Sequence, residues 1–142
     1  MTSSVSSGPA TPPDAVYAVV VEVRRLFHRL ANAADALHEI QFGHLQRPTH
    51  FNTSWDMAKF EVCAHKWADL SEPGFGVALL NDCKYGYATH GNVMRLSLLR
   101  ATTAPDPRAD IGRHSFKYAL LPHPGSFQEA GVVDEGYRFN TP

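Results

Sequence analysis

The chain has 142 residues, 44% of them hydrophobic and 19% charged, with a formal net charge of −1. That length supports one domain that buries roughly two-thirds of the unfolded chain's surface, and the apolar and aromatic content excludes a disordered chain. Near-neutral charge with basic residues scattered along the chain excludes an electrostatic footprint for nucleic acid or for an anionic membrane, so neither is expected as a partner.

Residues 1–13 are rich in Ser, Thr and Pro. They offer too little apolar surface to offset the ordering of a backbone, and are expected to form a disordered tail. No basic residue precedes an apolar run, so the start does not read as a secretory signal. The longest apolar run, Ala15 to Val21, is too short to cross a bilayer.

Residues 14–38 carry a different period. Val16, Val19, Val20, Val23, Phe27, Leu30, Ala34 and Leu37 recur at steps of three and four, which predicts one amphipathic α-helix with Asp14 at its N-cap. Arg24, Arg25, His28 and Arg29 then form its wet face. The β-branched run Tyr17 to Val23 also suits a strand, but the helix is the preferred reading.

From Glu39 onward short apolar stretches alternate with Gly, Pro and Asn, the spacing of strands and turns. Phe60 to Trp67 has the alternation of a half-buried strand, and Pro73-Gly74 interrupts the chain after it. Val77 to Leu80, Tyr85 to Ala88 and Val93 to Leu99 read as hairpin-forming strands, with Asn81-Asp82 and Gly91-Asn92 as turns. Pro105 and Pro107 make Ala101 to Ala109 a loop. Phe116 to Leu121 returns to strand character, closed by Pro122 and Pro124.

Two cysteines, Cys63 and Cys83, allow at most one bridge and read as thiols in an intracellular setting. Asn52-Thr53-Ser54 is a glycosylation acceptor triplet that matters only in the secretory route. Eight histidines are present, with His44, His50 and His65 close in sequence, yet their spacing matches no metal signature. Asp56, Asp69, Asp82, Asp106 and Asp110 are carboxylates of the type that glycoside hydrolysis uses, but spacing does not pair them across a sugar. One loop is richer: Ala104 to His114 places two acids, two arginines and a histidine on a Pro-framed connection, suited either to hydrogen-bonding sugar hydroxyls or to stapling itself.

The stretches Glu39 to His50 (EIQFGHLQRPTH), Asn52 to Asp56 (NTSWD), Lys59 to Glu72 (KFEVCAHKWADLSE) and Gly76 to Gly86 (GVALLNDCKYG) resemble the C-terminal region of the cytosolic and fungal vacuolar type of family 38 α-mannosidases. The likeness continues through Leu96 to Arg100, Ala104 to Asp106, Asp110 to His114 and Pro122 to Phe127. It implies a retaining, zinc-dependent exo-hydrolase acting on α-mannosyl oligosaccharides in mannose metabolism, with metal and nucleophile in an N-terminal barrel. None of the eight histidines is followed two residues later by Asp, so the family's His-x-Asp metal motif has no counterpart here.

These readings predict a mainly β chain: a partial antiparallel β-sandwich of the family's C-terminal type over residues 39–142, preceded by one helix at 14–38 unrelated to the family. No catalytic or metal-binding residue is assigned, and no cofactor is expected in this chain. Substrate contact is expected from Asp82 and Lys84 in one turn and from Asp106, Asp110, Arg113 and His114 in the loop. The implied function is that of an inactive fragment of an α-mannosidase, cytoplasmic or, in the fungal type, vacuolar. The competing function is a non-catalytic carbohydrate-binding or subunit-assembly module, with a homo-oligomer as its partner state.

Overall fold

A computed structural model describes residues 2–6, 17–23, 33–102 and 104–141, the first two segments by backbone alone. Among the described residues the strands in chain order are β1 (Thr2–Ser6), β2 (Tyr17–Val23), β3 (Asp35–Ile40), β4 (Gly43–Pro48), β5 (Val62–Cys63), β6 (Trp67–Glu72), β7 (Phe75–Asn81), β8 (Gly86–His90), β9 (Val93–Ala101) and β10 (Arg113–His123). Two helices join them, α1 (Ser54–Ala58) and α2 (Val132–Asn140).

Alternation builds the strands. In β9, Met94, Leu96 and Leu98 are buried while their neighbours are not, the period of a strand with one face on a core. Turn chemistry sets the registers. His90 pairs with Val93 across Gly91-Asn92, and Glu72 with Phe75 across Pro73-Gly74. Gly91 and Gly74 both take positive φ, 54° and 90°, which a side chain would resist.

The strands form two antiparallel sheets, one ordered β1-β10-β7-β6-β3-β4 and the other β2-β9-β8-β5. Their facing sides make one core: Ala36, Ala68, Leu70, Leu79 and Phe116 from the first sheet meet Tyr87, Met94, Leu96 and Leu98 from the second. This is the expected antiparallel sandwich. The first sheet is covered on its other face as well, where α2 sets Val132 against Trp67, Ala78, Leu80 and Phe127. Double coverage explains why Trp67 to Leu70 and Gly76 to Asn81 are buried without alternation.

The approach of α2 to the sheet is set by Gly136. A β-carbon there would lie 2.7 Å from Cδ1 of the buried Trp67 indole. Replacing a helical Gly by Ala normally gains about 1 kcal/mol, but overpacking against a fixed ring costs about 1–3 kcal/mol. Gly136→Ala is therefore expected to lower the urea midpoint; a raised midpoint would show that α2 can ride up without loss.

Several expectations differ from the structure. Phe60 to Trp67, expected as one half-buried strand, is broken: the chain crosses there from the second sheet, where Val62–Cys63 is β5, to the first, where Trp67 opens β6, and Phe60 is exposed. Tyr17–Val23, expected within a helix, is strand β2, paired with β9 from Tyr17↔Ala101 to Val23↔Met94. The pairing shifts register between Val19 and Val20, where β9 carries one extra residue, Leu98, and the valine run favours extended backbone. Leu37, at the far end of the expected helix, lies in β3, while Arg24, Arg25, His28 and Arg29 fall outside the described residues. Thr2–Ser6, expected as tail, pairs with Arg113 to Lys117 of β10, because a strand edge accepts any extended segment through main-chain bonds. The all-β expectation beyond Glu39 also missed both helices.

Candidate functional site

The turn after β7 is built by Asn81. Its Oδ1 accepts from the backbone N–H groups of Cys83 (3.1 Å) and Lys84 (2.6 Å), while its Nδ2 donates to the His65 carbonyl (2.7 Å) and to the Tyr87 hydroxyl. This side-chain mimic of a backbone turn fixes Asp82 next to β10, where Asp82 Oδ1 accepts from the Lys117 N–H at 3.0 Å. The end of α2 ties in through Asn140, whose Nδ2 donates to the Asn81 carbonyl at 3.0 Å.

Asn81, Asp82 and Asn140 floor an open cleft of about 500 Å³ that is also lined by Cys63, His65, Lys66 and Tyr85. Tyr85 is 58% exposed and meets the His65 ring edge-on, with centroids 5.5 Å apart. Lys66 is held by Glu39 at 3.0 Å and lies 4.4 Å above the Tyr137 ring. Burial, then the neighbouring Asp82, push the Cys83 thiol up, so it is a poor nucleophile. An exposed aromatic ring beside amide, carboxylate and ammonium groups is a lining suited to a small polar ligand. Among the described residues Asp82 is the one carboxylate lining the cleft, whereas glycoside hydrolysis uses two.

The expected site residues separate into two groups. Asp82 and Lys84 share the turn, with Lys84 Nζ 5.2 Å from the Phe116 ring centroid. In the loop, Asp106 accepts from the Arg108 N–H at 2.9 Å, and His114 Nε2 donates to the Asp110 carbonyl at 2.7 Å. Asp110 sits in the left-handed region at φ 60°, which short acidic residues tolerate better than most. Arg113 and His114 open β10 on the stretch that pairs with β1, beyond its last pairing with β7 at Tyr118↔Asn81. The loop is thus stapled by its own bonds.

A second polar cluster was not singled out from the sequence. On the α2 face of the first sheet, Asp69 of β6 is fully buried; it accepts from His123 Nε2 at 2.8 Å and from the Ser71 hydroxyl. Asp69 and Ser71 line a groove with Asp35, His44, Gln46 and Phe127. Sequence signals exist for the remaining residues of the first site: His65, Lys66 and Tyr85 are polar or amphipathic residues flanking the turn. For Asp69 the signal is an acid inside the apolar run Trp67 to Leu70.

Zinc, which the sequence resemblance implies for the intact enzyme, finds no fit here. Among the described residues there is no group of three or more His, Cys, Asp or Glu side chains able to hold a metal ion, and Asp69 with His123 supplies two donors where a zinc site uses three or four.

In architecture the chain matches a solved α-mannosidase from Enterococcus faecalis V583 with a TM-score of 0.73 at 16% identity, covering 88% of this chain and 15% of that one. The fold is thus shared with part of that protein. Residues 20–108 match the family model described as "Glycosyl hydrolases family 38 C-terminal domain", and the chain belongs to that family. It is 63% identical over 116 residues to human Alpha-mannosidase 2C1, covering 82% of this chain and 11% of that protein. It is 59% identical over 105 residues to an Alpha-mannosidase of Saccharomyces cerevisiae, covering 74% and 10%. The chain therefore spans about a tenth of the length of the curated relatives it matches. The family match starts at residue 20, inside the segment expected to be unrelated to the family, and so takes in most of β2. No helix among the described residues is long and apolar enough to cross a membrane.

Proposed function

We propose that this chain is a non-catalytic β portion of an α-mannosidase that removes terminal α-linked mannose from oligosaccharides in the cytoplasm. Its two-sided sheet serves as a rigid support for a zinc-dependent centre supplied by residues outside the chain. Family membership supplies the class of enzyme. The observation that carries the supporting role is the poor donor set: one cleft carboxylate, Asp82, already bonded to Lys117, and no cluster of metal ligands among the described residues. Sugar contact, where this chain makes it, falls to Asp82 and Lys84, with the Asp106, Asp110, Arg113 and His114 loop as a second, prefolded polar surface.

The exposed Tyr85 ring beside Asp82, Lys66 and Asn140 favours sugar binding as a second reading. One preparation tests both. Purified chain supplied with Zn²⁺ and a chromogenic α-mannoside is expected to release no chromophore above the uncatalysed rate. Zinc-dependent release abolished by a chelator overturns the non-catalytic role. Calorimetric binding of methyl α-mannoside that disappears in Tyr85→Ala moves the function from support to recognition.

A further inference from the structure

One small cavity bridges the two sheets. It measures about 20 Å³ and is lined by His38 of β3 and Arg47 of β4 from the first sheet, by Thr89 of β8 from the second, and by Phe51, Asp56 and Lys59 around α1. His38 is 2% exposed. Both of its ring nitrogens, Arg47 Nη1 and Thr89 Oγ1 are buried without a hydrogen-bond partner. Four orphaned polar atoms on three residues around one cavity contrast with the general rule that buried polar groups are bonded.

We propose that this cavity is a binding site for a single water molecule that joins His38, Arg47 and Thr89 and so links the two sheets.

Size and chemistry both select water. The space exceeds the roughly 10–15 Å³ that one water needs and is far below the volume of a sugar or nucleotide pocket. The His38 imidazole is neutral near pH 7, because burial and then the Arg47 charge hold its pKa down to about 4. A neutral ring has one N–H and one bare nitrogen. The Ala36 backbone favours the protonated form of the ring, and in the neutral ring the bare nitrogen is left in need of a donor. Arg47 Nη1 needs an acceptor. The Thr89 hydroxyl can serve either way. Water alone gives and receives at once: an anion would satisfy Arg47 and Thr89 but would face the lone pair of His38. Lys59 and Asp56 at the rim are opposite in sign and offset each other, with His50 beside them.

A high-resolution crystal structure of the unaltered chain is expected to show one density peak within about 2.7–3.2 Å of a His38 ring nitrogen, Arg47 Nη1 and Thr89 Oγ1. Oxygen-17 relaxation dispersion of the purified chain is expected to lose one long-lived water in Thr89→Val. An empty cavity with Arg47 turned directly onto His38 overturns the proposal. So does an anomalous bromide peak at the same position after soaking, which would make the site an anion site.

Discussion

Replacing His123 by Ala is expected to cost the fold on the order of 3 kcal/mol, because it strands a buried carboxyl group. Asp69 is fully buried, and of the two side chains that donate to it, Ser71 and His123, only His123 can supply positive charge. Burial pushes the Asp69 carboxyl above the usual carboxylate range, although the Ser71 and His123 bonds pull the other way. The pair is held in a space that Gly76 leaves open: a β-carbon there would lie 2.7 Å from His123 Nε2 and closer still to His123 Cε1 and the Ser71 hydroxyl. Gly76→Ala therefore displaces the same bond without deleting either partner. Its cost is expected to overlap with that of His123→Ala, so that the double variant loses clearly less than the sum of the singles. Urea unfolding of the three variants measures this. A His123→Ala loss below about 1 kcal/mol, or strict additivity with Gly76→Ala, would mean that the pair does not anchor β6 to β10.

Legibility in the sequence tracks the strength of local signals. β7, β8, β9 and β10 are readable because alternating or solid apolar runs lie between turn signals such as Asn81-Asp82 and Gly91-Asn92, and the structure places strands at all four, although β10 runs on through Pro122 to His123 rather than closing at Leu121. β2 reads as a helix because a run of apolar and β-branched residues satisfies a helical period as readily as a strand. α2 escapes notice for the opposite reason. Its contact with the sheet rests on Val132, Gly136 and Phe139, and one of those three anchors is a glycine that no hydrophobic count registers. β1 has no internal signal; its pairing comes from the free edge of β10, a tertiary fact.

For the candidate site, turn composition points to Asp82 and Lys84 because Asn-Asp pairs mark turns on their own. Asp69 stands in the sequence only as a carboxylate among several. What makes it different is the glycine seven residues later and the histidine 54 residues away, brought together by antiparallel pairing of Ser71 with Gly76 and of Gly76 with His123. No sequence window contains that contact. His38 is hidden similarly: its neighbours in sequence are ordinary, and its orphaned nitrogens appear only when Arg47 and Thr89 close in from other strands.

Acidification from pH 7 to pH 4 is expected to remove roughly 3 kcal/mol of stability through His38. Folded, its imidazole protonates only near pH 4, whereas the unfolded chain's protonates near 6.5. Below 6.5 the unfolded state takes up a proton that the folded state refuses, so stability falls as pH drops and levels off once the buried ring also protonates. Exposed Glu129 and the Asp56 carboxyl, held low by bonds to Ser126 and Thr53, lose their contribution only as pH falls below the ordinary carboxylate range, in a lower window. Asp69 acts in the opposite sense. Its raised value makes the folded state bind a proton first, which favours folding as pH falls through that value toward the ordinary 3.8. About 2 kcal/mol of the His38 loss belongs between pH 7 and pH 5, above the ordinary carboxylate range, and Asp69 opposes it wherever its raised titration overlaps that window. Urea midpoints at those two pH values, compared between the unaltered chain and His38→Gln, isolate it: the glutamine variant starts less stable at pH 7 and loses less on the way down. Equal losses in both proteins would mean that the ring protonates freely in the folded state, and that the space between the sheets is wetter than its buried nitrogens imply.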